Sequence, residues 1–151
     1  VADTEYMEAL SLSQAFKASV SKLPDKDQIT LAWMSDVDNL VKVYEAFTSY
    51  QRSFIDNDTL TKFTDVVTKM TELKTAASEK ATGFKTMIDA LPDADKLTVD
   101  DKAALDDSKD AYERFSYYER MFIDADTSKK FEALKEKMDE LTGVTGTNPG
   151  A

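Results

Sequence analysis

The residues of this chain best equipped for chemistry are its acids. Asp-x-Asp pairs stand in "PDKD" (Asp25, Asp27) and "PDAD" (Asp93, Asp95), and again in "DND" (Asp56, Asp58) and "DAD" (Asp124, Asp126). Such pairs are the ligand type that Ca²⁺ prefers. An EF-hand loop also needs Gly at its sixth position and Glu at its twelfth, and neither arrangement occurs here. Turn formation and helix capping by Asp explain the pairs without a metal. Paired carboxylates also hydrolyse glycosides, but only in a cleft that raises one pKa and holds a sugar between them. The acids here are interleaved with Lys in the pattern of solvated helix faces, so an enzymatic reading is rejected. The absence of Cys and His removes thiol catalysis, disulfides, thiolate or imidazole zinc sites and every His-dependent triad. No catalytic residue, cofactor or metal site is expected.

Two aromatic residues are the candidate ligand contacts. Trp33 is the only tryptophan. Four residues before Val37, it points by helical spacing toward the end of a bundle, where it either packs or stacks on a sugar or protein surface. Tyr117 lies in an aromatic run with Tyr112, Phe115 and Tyr118.

What must position these residues is a duplication. "YEAFTSYQRSFIDNDT" (Tyr44–Thr59) returns as "YERFSYYERMFIDADT" (Tyr112–Thr127), 68 positions later. Laid over each other without a gap, Phe16–Leu73 and Phe84–Leu141 share 24 identities in 58 pairs. Tyr50 corresponds to Tyr118, which marks that position as structural, whereas Tyr117 corresponds to Ser49. A repeat of this length is read as one small domain used twice.

Composition favours helix. Only four Gly and three Pro interrupt 151 residues, and 42% are apolar, enough for a packed core. Net charge is −10, divided equally: 7 bases and 12 acids in residues 1–73, 12 and 17 in residues 74–151. No basic stripe offers itself to nucleic acid or an anionic membrane, and no apolar run is long enough to span a bilayer. The start at Val1 reads as a piece of a longer or processed protein.

Each copy carries the same punctuation. A helix ends at Leu-Pro-Asp (Leu23–Asp25, Leu91–Asp93), because proline disfavours helix in the residue before it. Thr30 and Thr98 then cap a second helix, Thr98 with Asp101 in an approximate capping box. Its apolar stripe is Val37, Leu40, Val41, Tyr44 and Phe47, matched by Leu105, Ser108, Ala111, Tyr112 and Phe115. Thr48 and Ser116 predict a break and a second cap. Asp58 and Asp126 are expected to start a third helix, with stripes Leu60, Phe63, Val66, Val67, Met70, Leu73 and Phe131, Leu134, Met138, Leu141.

The fold expected is all-α: two tandem three-helix bundles, residues 1–74 and 75–141, with 142–151 as a flexible C-terminal linker. Between Thr59 and Leu91 there is no proline and one glycine, Gly83. The third helix of the first unit is therefore expected to run into the first helix of the second, spanning about 45 Å and stiffening the pair into a rod. The alternative is a hinge at Ala76–Ser78 or Gly83.

The second copy is similar to the FIVAR repeats of Gram-positive extracellular proteins. Ile88, Asp89 and Ala90 match their Ile-Asp-Ala-Ile stretch, Leu97 and Thr98 stand at the following Val-Thr-Leu, and Lys102 and the Ala111–Tyr112 pair match later positions. Phe115, Ser116, Arg120, Phe122 and Ile123 are conservative versions of the last stretch. Ser108 and Lys109 replace the usual Ala-Arg, and Tyr117–Tyr118 an acidic pair. The resemblance covers about 60 residues per copy. It implies a non-catalytic module in a secreted or cell-wall-attached protein, and the shared helix makes a spacer or stalk the expected role, with neighbouring domains of the same polypeptide as partners and a monomer expected. It also leaves room for an adhesin-type module that recognises a host protein or glycan on one bundle face.

Overall fold

A computed structural model describes residues 2–144. The protein is all-α, 79% helical, with no strand among the described residues. It divides into two compact units, Val1–Thr75 and Ala76–Ala151. Seven α-helices follow in order: α1 Asp3–Lys22, α2 Met34–Ala46, α3 Ser49–Arg52, α4 Asn57–Asp89, α5 Lys102–Glu113, α6 Tyr117–Arg120 and α7 Ala125–Thr142. Short 3-10 turns at Leu31–Trp33 and Val99–Asp101 lead into α2 and α5.

In the first unit, Phe16, Val20 and Leu23 of α1 and its exit pack with Val37, Leu40 and Phe47, and with Phe63, Val66 and Met70 of α4. Phe16 is the hub: its ring lies 5.0 Å from Phe63, 5.7 Å from Phe47 and 5.9 Å from Tyr44. In the second unit Phe84 repeats this with Phe131 at 5.0 Å, Phe115 at 5.8 Å and Tyr112 at 5.7 Å. These tilted and edge-to-face pairs suit the aromatic quadrupole. Tyr44 and Tyr112 are half-buried, so the fully buried anchors are the two Phe hubs.

The polar contacts are duplicated as faithfully. Lys62 Nζ donates to the Leu23 carbonyl at 2.6 Å, and Lys130 Nζ to that of Leu91 at 2.7 Å. Each ammonium thus occupies an end that proline has deprived of the next helical N–H. Arg52 donates to the Tyr44 carbonyl through Nε and Nη2, its guanidinium 4.4 Å from the Tyr44 ring centre. Arg120 does the same to Tyr112 through Nη2 and stacks at 4.3 Å. A cation at a helix C-terminus is favourable, and the ring face beneath adds to it.

Capping explains the breaks. Thr48 with Gln51, and Ser116 with Glu119, form complete capping boxes that start α3 and α6. Thr30 Oγ1 accepts from Ala32 N at 3.3 Å, while Thr98 N donates to Asp101 Oδ2 at 2.9 Å. One expectation is corrected here: Asp58 and Asp126 do not begin the third helices. Asp56 accepts from Thr59 N at 2.8 Å and Asp124 from Thr127 N at 2.7 Å, each also taking the Thr hydroxyl. The carboxylate of the N-cap saturates the orphan amide, so the acid two residues later lies inside the first turn.

These bonds hold the Asp56 and Asp124 carboxyls below the ordinary 3.8, first through the Thr amide and then through its hydroxyl. A folded value below the unfolded one stabilises fully above 3.8, and the contribution is lost as pH falls through the depressed folded value. The Thr59 and Thr127 amide resonances are expected to titrate below pH 3.8. Asp124→Asn should abolish the Thr127 titration and leave that of Thr59.

The α4 helix is continuous from Asn57 to Asp89, and none of the hinge positions Ala76–Ser78 or Gly83 interrupts it. Gly83 has no packing reason to be glycine, since a Cβ there meets nothing within 4 Å. Its counterpart in the first copy is Ala15. Gly83→Ala is expected to stabilise by about 0.5–1 kcal/mol, read as a shift of the denaturation midpoint.

Two further expectations shift at the C-terminus. Leu141 leaves the apolar stripe and is 39% exposed. Thr142, expected to open the linker, is still helical and donates its hydroxyl to the Met138 carbonyl at 2.8 Å. Gly143, with φ 75°, closes α7 in the left-handed conformation that glycine tolerates best. The remainder of the expected linker, residues 145–151, lies outside the described residues.

Candidate functional site

Trp33 ends the 3-10 turn before α2 because Thr30 caps that turn and Met34 opens the α-helix. Its ring packs partly against the first unit's core and forms one wall of a shallow groove between α1 and α2. The groove encloses about 330 Å³. Leu23 and Leu40 make its floor and Val43 its far apolar edge, while Ser19, Lys22, Asp36 and Asn39 supply the polar rim. None of these four side chains is engaged in an ion pair among the described residues, and the indole N–H has no acceptor there either. The one fully buried side-chain nitrogen or oxygen without a partner among them is Arg120 Nε, so the indole N–H reaches solvent.

Tyr117 belongs to the second unit. It is 72% exposed and meets Tyr118 edge-to-face at 5.1 Å. Met121, the residue that follows α6, is also exposed, at 62%. The matched pair Tyr50 and Tyr118 are both exposed, and their rings meet different partners, Phe54 and Tyr117.

The first acid of each Asp-x-Asp pair has a partner in the fold. Asp56 and Asp124 are N-caps. Asp25 and Asp93 lie 3.9 and 3.8 Å from Lys62 and Lys130. Among the described residues no group of three potential metal ligands gathers, and no helix is long and apolar enough to cross a membrane. Glu119, held low by the Ser116 amide and then by Lys80, completes a cap; Lys80 also bonds the Arg114 carbonyl at 2.7 Å.

The groove's rim residues escaped the reading of single motifs, although the register between copies carries their signal. Across 31–43 and 99–111 only one pair, Asp38 and Asp106, is identical, whereas the other 45 pairs hold 23 of the 24 identities. Searches against family models, curated proteins and solved structures gave no match.

Proposed function

We propose that the chain is a non-catalytic structural spacer in a larger secreted or cell-wall-attached Gram-positive protein, of the FIVAR-like kind that its second copy resembles. The observation that carries this reading is α4, which begins in one unit and ends in the other without a break. Bending such a helix at the junction would cost backbone hydrogen bonds. Repeats that share an element extend additively, each unit relying on its neighbours, and the excess of acids keeps them from adhering to one another.

Hydrogen exchange tests it. Amides of residues 74–82 should exchange as slowly as those of the Phe63–Met70 stretch, since helical amides are exposed only by local opening. Exchange near the free-peptide rate at 74–82 would leave a hinge between two beads, and the spacer reading would fail.

A further inference from the structure

The duplication allows a comparison, because a site built on one copy need not recur in the other. The aromatic hub (Phe16, Tyr44, Phe47, Phe63), the helix-end cations Arg52 and Lys62, and the capping pair Asp56–Thr59 all recur unchanged 68 positions later. Of the eight residues around the Trp33 groove, only Leu23 recurs, as Leu91. In the second copy Met87 stands for Ser19, Ala90 for Lys22, Asp101 for Trp33, Ala104 for Asp36 and Asp107 for Asn39. The stacking ring and most of the rim are thus confined to the first unit.

We propose that this groove is a binding site for an uncharged saccharide, a role beyond that of a spacer. A sugar ring is apolar on its C–H face and polar at its hydroxyl edge, so it asks for an aromatic wall and mixed donors and acceptors beside it. Trp33 and Val43 supply the wall and opposite edge. Asp36 accepts, Lys22 and the indole N–H donate, and Ser19 and Asn39 do both. Lys22 and Asp36 cancel in charge, and the chain's excess of acids repels anionic ligands, which selects a neutral one. At about 330 Å³ the groove is at the small end of ligand sites, fit for one or two sugar rings rather than an amphipathic helix.

The single tryptophan makes the test local, because all indole fluorescence comes from the groove. The intact chain is titrated with cellotriose, maltotriose and chitotriose, in parallel with an Asp36→Ala/Asn39→Ala variant. Both residues are exposed, and circular dichroism verifies that the variant keeps its helicity. At least one trisaccharide should change Trp33 emission saturably in the millimolar range, with affinity reduced about tenfold in the variant by the loss of two polar partners. Absence of saturable change with all three would overturn the proposal, as would binding that the variant leaves unaltered. Saturation by a proline-rich peptide in place of the sugars would overturn the saccharide assignment.

Discussion

Phe84→Ala should cost the second unit about 3–5 kcal/mol, the range for emptying a fully buried aromatic site. Phe84 is 2% exposed and touches the rings of Tyr112, Phe115 and Phe131 together. Its removal therefore leaves a cavity bounded by three helices, which none can close alone. Trp33 lies outside the second unit's core, so denaturation followed by ellipticity and by indole emission separates the units. Ellipticity should acquire an early phase, and emission should move less. A loss below about 1 kcal/mol would mean that the aromatic hub is not what holds the unit.

Ala77→Pro carries the second large effect. Proline removes the amide that would bond to the carbonyl of Leu73, and its ring collides with that carbonyl, costing about 3 kcal/mol or more in a helix interior. Ala77 is also buried at 1% exposure, so the larger ring enters filled space. Ala9, its counterpart in the first copy, is equally buried, which marks the position as one that accepts only a small side chain. The expected result is accelerated amide exchange at 74–80 and a measurable loss of ellipticity. Unchanged exchange and ellipticity would show that α4 is not continuous there.

Most of the all-α framework was legible because it rests on local rules. Leu-Pro-Asp ended α1 and α4, Thr48 and Ser116 opened the short helices, and three- and four-residue spacing picked out Val37, Leu40 and Phe47 as buried. The caps of the third helices were misassigned by two residues. In "DND" and "DAD" either Asp has the right chemistry, and only the bond to Thr59 or Thr127 distinguishes them. Leu141 was misjudged because a stripe extrapolated to a helix end runs past the core it faces. Ser108 was placed on the inward stripe by spacing and is buried there, its hydroxyl bonded to its own helix; Lys80 was opaque, because its contacts with Phe115, Arg114 and Glu119 join residues more than thirty positions apart. Trp33 was visible as a singular residue. The rim around it was not, since Ser19 and Lys22 join Asp36 and Asn39 only when α1 and α2 pack.

A helix that belongs to both units fixes the distance between two labels placed along it. Spin labels at Thr64 and Thr86, both exposed, are separated by 22 residues of α4, or about 33 Å of helix axis. A single narrow distance distribution near that value is expected, broadened by Ala77→Pro. A broad distribution in the unmodified chain, or one centred well short of it, would contradict the shared helix.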